Sequence, residues 1–408
     1  MPRVCITGCG VVSPLGPTLA DFDTALFAGR SALRAEAFEL PGVDHGPLAL
    51  GRADFDASRV PAPSRLPLDR GSALALAAAD AAMDRAGLAA DGVDPFRLGV
   101  YWGSGMGGAA TFDATCQAVY ARQQRIRPTS VVTGMPSAAL AELALRFGAR
   151  GAALGYTCAC ASSAVAIGEA LLALRHGRLD VALVGGSEAL LSPGVIGAWR
   201  AMRVLAPVPP GTDGAQACRP FAADRAGFAL GEGAAALVLE SEDHARARRA
   251  PVVAWLSGYA THCDARHITQ PDPDGQVRTM HAALRDAGLA AADIGHVNAH
   301  GTATLAGDAA EAAALQRVFG ATPPAVTATK ALVGHLLGAG GALELVATLR
   351  ALERRAVPPV PAGAALDPGF EIDLVRGTAR ALPALRHAMS NSFAFGGTNA
   401  VLVVSRSD

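Results

Sequence analysis

The chain has 408 residues, half of them apolar and only 17% charged, with a formal net charge of -1. That composition supports a large buried core and excludes a disordered segment, and the near-zero charge lacks the basic excess of a nucleic-acid binder. No apolar run approaches the roughly 18 residues a membrane-spanning helix needs, and Met1 to Gly10 carries no export signal, so no membrane association is expected. The pattern then reads as alternating strands and helices. An apolar strand opens at Val4 and ends in a glycine-rich turn, and an alanine-rich helix begins near Leu68. A strand near 98–103 runs into G103-S-G-M-G-G108, and Gly151 to Tyr156 leads as a strand or turn into T157-C-A-C-A-S-S163. Helical periodicity follows to Arg175, and Val181 to Val184 is a buried strand. Pro207 to Gly214 reads as a surface loop. Glu240 to Ala250 is a charged helical stretch and the expected join between two halves, 1–245 and 246–408, with a new strand at Val252 to Leu256. The second half repeats the plan: Ala282 to Ala291 matches Ala81 to Ala90 at an offset of 201, and Gly341 to Glu353 faintly matches Ser163 to Arg175. Such alternation predicts a duplicated α/β fold.

One lysine stands among 34 arginines, Lys330 in A328-T-K-A-L-V-G-H335. Lysine is a compact point charge where arginine is a wide planar fork, so the position suits a crowded polar cluster; a lone lysine also falls somewhere by chance. Its company adds weight. Cys160 begins a helix whose free N–H groups and dipole favour thiolate and can hold an oxyanion, although buried structural cysteines are common. Cys158, two residues earlier, is its competitor. His300 follows an apolar strand in N298-A-H-G-T-A-T304, and His335 precedes the glycine-rich start of a helix. A zinc site from Cys158, Cys160 and the histidines is disfavoured because C-x-C is not the usual ligand spacing. Seven scattered cysteines fit a reducing compartment, the cytoplasm by default. One thiol and two neutral imidazoles point to acyl transfer with hydrogen bonds to a developing enolate or oxyanion.

Along essentially its whole length the chain resembles the β-ketoacyl-[acyl carrier protein] synthases on the thiolase-like fold. The motifs that carry this are R3-V-C-I-T-G-C-G-V-V-S-P-L-G16, G103-S-G-M-G-G108, the Cys160 segment, R219-P-F-A-A-D-R-A-G-F-A-L-G-E-G233, N298-A-H-G-T-A-T-L-A-G-D308, T329-K-A-L-V-G-H-L-L-G-A-G-G-A-L-E344 and S390-N-S-F-A-F-G-G-T-N399. The resemblance implies a layered αβαβα duplicated fold, Cys160 as nucleophile, His300 and His335 as decarboxylation histidines and Lys330 as the lysine holding their polar cluster. It implies that Glu344, Asp308 and Glu311 support that cluster. Thr302, Thr304 and Thr269 would contact a phosphopantetheine arm, Phe395 with Phe393 beside it would gate the nucleophile and complete an oxyanion hole, and Met106 would limit the acyl pocket. No metal or cofactor is implied beyond the arm that arrives on an acyl carrier protein. That partner is acidic, making Arg203, Arg65 and Arg70 docking candidates. A homodimer, or a heterodimer with a related subunit, is expected. The chain departs from the family at Cys158, where Thr or Ser is usual, and at Ala222 and Ala226, where aspartates are usual, which questions the order of that loop. It is also trimmed around residues 40 to 60. Besides a condensing enzyme, a silent chain-length-factor-like subunit and a non-decarboxylating acyltransferase or thioester-binding module are the competing readings. The former usually lacks the cysteine and the latter would be supported by a lost histidine; all three residues are intact.

Overall fold

The computed structural model describes residues 2–38, 46–88, 92–208, 211–363 and 365–407. Parts of the trimmed stretch near 40 to 60, of the repeat at 81 to 90 and of the loop from Pro207 to Gly214 lie outside the described residues. Ten strands form the frame: β1 Val4–Val12, β2 Leu98–Gly103, β3 Ala153–Tyr156, β4 Val181–Glu188, β5 Gly233–Ser241, β6 Ala254–Cys263, β7 Ile294–Asn298, β8 Ala325–Thr327, β9 His387–Phe393 and β10 Thr398–Arg406. From the centre outward they run β1-β5-β4-β2-β3 on one side and β6-β10-β9-β7-β8 on the other, with a short strand, Asp373–Leu374, beyond β8. The first strand of each half is central, its last strand is next to it, and the second and third lie outermost. The parallel and antiparallel pairings also match between halves. The duplication legible in sequence is thus a duplication of topology. The halves join where β1 and β6 pair antiparallel, Cys5 opposite Trp255 and Ile6 opposite Ala254. The charged join is shorter than its sequence suggests: Glu240 and Ser241 still belong to β5, only Glu242–Ala247 is helical, and the next strand starts at Ala254.

Six helices supply the layers: α1 Arg70–Ala86, α2 Ala138–Phe147, α3 Ser162–Arg175, α4 Pro273–Ala287, α5 Leu305–Phe319 and α6 Gly340–Arg354. α1 and α2 cover one face of the first half, and α4 covers β6 and β10 in the second with α5 packed beside it. α3 and α6, which follow the reactive cysteine and histidine, pack on each other and on strands of both halves, giving the αβαβα order. Both are apolar nearly all round and almost entirely buried, as a central layer requires. Three of these helices begin where side chains satisfy free N–H groups: Asp69 caps α1, Asp272 caps α4 and Thr304 caps α5. Two glycines permit close approaches at the reactive turns, Gly103 within the first half and Gly338 between the halves. A Cβ on Gly103 would lie 2.3 Å from the Ser163 nitrogen, and one on Gly338 would lie 2.1 Å from the Gly105 nitrogen.

Candidate active site

Cys160 stands in a 3-10 turn, Ala159–Ala161, between β3 and α3. Sequence periodicity puts it at a helix start, and the structure places it two residues before the regular helix. The turn is forced by Ala159, which adopts a left-handed φ of +47, a strained conformation for a residue with a Cβ. Ser162 holds it shut, its Oγ accepting from the Cys158 N–H at 2.8 Å and donating to the Ala159 carbonyl at 2.6 Å. Cys160 is buried, and that burial opposes the thiolate which the helix start favours. Burial pushes the thiol up to about 12, outweighing the pull of Lys330 and of a hydrogen bond from the Phe395 backbone N–H. Cys158 is only half-buried and packs against the central core, away from the cavity that Cys160 lines.

The two histidines reach the sulfur from loops of the second half. His335 Nε2 lies 3.0 Å from Cys160 Sγ, and its Nδ1 accepts the Leu337 backbone N–H at 3.2 Å. A neutral ring with an occupied Nδ1 carries its proton on Nε2, so the N–H faces the sulfur. His300 is set the same way by a different donor. Its Nδ1 is 3.2 Å from the Lys330 ammonium, which has only hydrogens to offer, leaving the proton on Nε2. The rings meet edge to face with centroids 5.5 Å apart. Burial, reinforced by the nearby Lys330 charge, holds both imidazoles well below the ordinary histidine value, so both are neutral.

Lys330 is 1% exposed, and its three N–H donors meet three acceptors: His300 Nδ1, the His300 carbonyl at 2.6 Å and the Glu344 carboxylate. Three acceptors converging on one point suit an ammonium and exclude a planar guanidinium. Glu311 fixes the His300 backbone, taking the His300 and Gly301 N–H groups at 2.9 and 2.8 Å, and is itself held by Asn391. Asp308 accepts the Phe221 and Ala303 N–H groups, tying the loop around residues 219–227 to the histidine loop. Arg225 completes that tie through Asp367 and the carbonyls of Ala222, Thr304 and Leu305. The loop is therefore anchored without aspartates at 222 and 226. Burial raises Asp308 and Glu344 to about 7, in Glu344 against the opposing pull of Lys330.

These groups open on a cavity of about 280 Å³. Cys160, His300 and His335 line it together with Thr269, Thr302, Thr304, Phe393 and Phe395, so the structure brings these eight predicted residues together. Phe395 stacks on Trp199, and Phe228 packs edge-on against His335. The Thr302 and Thr304 hydroxyls lie 2.9 Å apart. Met106 is not among the lining residues. It is 40% exposed, with its N–H bonded to Glu188, and Trp199, Met202, Phe228 and Leu337 are among the apolar residues that do line this cavity. Arg203 and Arg65 are exposed, Arg203 between the lining residues Met202 and Val204. Arg70 drops out as a docking residue: its guanidinium is bonded to the buried Glu232 and to the carbonyls of Ala53 and Phe55. Sequence reasoning missed Glu188. This fully buried carboxylate ends β4 and accepts from the N–H groups of Gly105, Met106 and Gly338 and from Ser104 Oγ, clamping the glycine turn of the first half to the His335 loop of the second. Its signal was available as an acid closing the apolar strand V181-A-L-V-G-G-S-E188.

Ligand atoms of Cys160, His300 and His335 lie within 4.8 Å of one another, a span that suits one carbonyl oxygen or one small ion. The Lys330 ammonium beside His300 opposes a cation there. Residues 1–245 match the family described as "Beta-ketoacyl synthase, N-terminal domain", and residues 253–363 match "Beta-ketoacyl synthase, C-terminal domain". The chain belongs to the beta-ketoacyl synthase family. It is accordingly an acyltransferase of the 3-oxoacyl-[acyl carrier protein] synthase kind, making 3-oxoacyl thioesters by condensation. It is 40% identical over 410 residues to "Nodulation protein E" of Rhizobium meliloti, covering 98% of each chain. It is 36% identical over 414 residues to "3-oxoacyl-[acyl-carrier-protein] synthase 2" of Coxiella burnetii, covering 99% of this synthase and 98% of the relative. Among solved structures, the ishigamide ketosynthase/chain length factor superposes with a TM-score of 0.90 at 32% identity, each chain fully covered. A type II polyketide synthase ketosynthase, solved in complex with its acyl-carrier protein, gives the same TM-score and coverage at 29% identity.

Proposed function

We propose that Cys160 is the nucleophile, that His300 and His335 stabilise the enolate, and that the thioesters arrive on an acyl carrier protein whose pantetheine arm passes Thr302 and Thr304. In the first half-reaction the Cys160 sulfur bonds to the acyl carbon, the carrier sulfur leaves, and the thiol proton goes to that sulfur. In the second, the carboxylate carbon of a malonyl thioester departs as carbon dioxide. The remaining electron pair forms an enolate whose oxygen accepts from the two Nε2–H donors. Its carbon then bonds to the acyl carbon on Cys160. The Phe395 N–H, which hydrogen-bonds Cys160 at rest, holds the resulting oxyanion in this reading, and collapse releases the Cys160 thiolate and a 3-oxoacyl carrier. The carrying observation is the double tautomer lock: Leu337 N–H and Lys330 occupy both Nδ1 atoms and leave two N–H donors beside the sulfur. That geometry favours catalysis over a silent subunit. Intact-mass measurement after incubation with acyl carrier protein tests it. Acylation should persist in Cys158→Ala and vanish in Cys160→Ala; an unacylated wild type would support the partner-dependent reading.

The pathway we assign is fatty-acid or polyketide-type chain building in the cytoplasm, a reducing compartment that suits seven unpaired cysteines. Among the described residues no helix is long and apolar enough to cross a membrane. The division at 245/246 is proposed as the seam of the duplication. A dimer is proposed through the edge strand β3, whose residues Ala153, Leu154 and Gly155 are exposed, and Phe112, Val131, Val132 and Met135 are exposed large apolar residues available to extend such an interface.

A further inference from the structure

Gln276 lies in the first turns of α4, one residue after Gly275, where a Cβ would meet Asp264 Oδ1 at 1.9 Å. The helix is thereby pressed against the cavity wall. Gln276 is 1% exposed and lines the cavity, yet its Oε1 has no hydrogen-bond partner. A buried amide oxygen left unpaired is costly, and native proteins seldom keep one without an occupant to satisfy it. The acidic neighbours cannot satisfy it, because they are acceptors and already take hydrogen bonds themselves. Asp264 accepts from Asn399 at 2.6 Å and from the Asp272 N–H at 3.2 Å, and both Glu311 oxygens take backbone N–H groups. No described donor bonds the Gln276 oxygen, and a donor on a ligand in the cavity is the partner the site lacks.

We propose that Gln276 is a substrate-binding residue that hydrogen-bonds an amide of the pantetheine arm, which rests on the reading that the arm occupies this cavity. A carboxamide offers a donor and an acceptor, and an amide of the arm can answer either; the hydrocarbon of an acyl chain can answer neither. The rate of Cys160 acylation, followed by intact mass, is compared for two donors: an acyl-pantetheine, and an acyl ester of a simple alkanethiol, which keeps the thioester and has no amide. Gln276→Leu should lower kcat/KM for the first roughly tenfold, the worth of one hydrogen bond with its buried partner left unmade, and leave the second unchanged. Gln276→Met, closer in shape, should behave the same, and thermal melting of both variants checks that the fold is kept. An equal loss with both donors would overturn the proposal in favour of a structural role. No change with either would overturn it in favour of bound water alone. Wild type acylated by neither donor would overturn the reading of Cys160 itself, a result separable from the other two.

Discussion

The two histidines arrive at the same chemical state by different routes. His300 sits in charge: an ammonium on its ring, Glu311 on its backbone, and Glu344 behind the ammonium. His335 sits among apolar and aromatic groups, with one backbone N–H on its ring and Phe228 against its edge. Each is neutral with Nε2–H toward the cavity. The difference is in what maintains that state. The His300 arrangement depends on several side chains that must all be present, whereas the His335 arrangement is built from backbone and burial and so tolerates side-chain change around it. The first is the fragile one.

The largest effect should therefore come from Lys330. In Lys330→Met, His300 loses the donor that selects its tautomer, and Glu344 is left as an unpaired buried acid. Condensation should fall at least about 100-fold while Cys160 still accepts an acyl group, and stability should drop by about 3–5 kcal/mol. Adding Glu344→Leu should restore much of the stability and none of the condensation. Denaturant titration beside single-turnover kinetics checks both, and recovery of condensation in the double variant would mean that Lys330 acts only on the fold.

His335 is better probed by pH. Its imidazole is held well below 6.5 by burial, so as pH falls the unfolded chain takes up a proton the folded chain refuses. The corresponding stability is present above about pH 6.5 and lost below it. His335→Gln should remove that contribution, making the slope of stability against pH between about 5 and 6 shallower by roughly 1.4 kcal/mol per unit. Asp308 and Glu344, raised to about 7, tilt stability the opposite way as pH rises from about 4.5 to 7, but equally in both proteins. The thiol completes the test. With Cys160 pushed up to about 12, alkylation by iodoacetamide should climb about tenfold per unit from pH 7 to 10 without a plateau; a plateau near 8 would restore the thiolate that the helix argument predicted.

A smaller loss is expected where the halves are clamped. Glu188→Gln puts an NH2 group among backbone donors that need an acceptor, at a cost of about 2 kcal/mol. Disorder of the Gly105 and Gly338 turns should follow, with slower acylation and an unchanged ratio of acylation to condensation. A change in that ratio would place Glu188 in the decarboxylation step.

Much of this was legible in the sequence because it rests on residue identity. A lone lysine, a cysteine ahead of an apolar helix, and histidines after a strand and before a glycine run all mark their places locally. The repeat at an offset of 201 likewise marks a duplicated topology. What stayed hidden is relational. The thiol's protonation depends on burial that no spacing reports, and desolvation opposes the helix dipole there. Arg70 looks like any surface arginine until Glu232, 162 positions away, is seen to hold it. Ala222 and Ala226 suggested a loose loop because the anchors, Arg225 and Asp308, act through backbone carbonyls and N–H groups. Met106 carries no mark in the sequence of its distance from the cavity on which Cys160 opens, whose lining does not include it.

The smallest effect belongs to the rim, where charge acts through solvent. Arg203 is exposed and flanked by two residues that line the cavity, so an acidic carrier delivering its arm there would pass it. Exposed charges contribute modestly and are screened within about 10 Å at 0.1 M salt. Arg203→Glu should thus raise KM for the carrier-borne substrate a few-fold at low ionic strength, with kcat and the rate from an acyl-pantetheine unchanged. The difference from wild type should shrink as salt is added. Arg70→Glu reads differently because that guanidinium is engaged with Glu232: it should cost stability and depress both substrates alike. An Arg203→Glu effect that survives high salt would mean that its left-handed backbone, φ +56, shapes the neighbouring Met202 and Val204 wall, and that the residue belongs to the cavity and not to the docking surface.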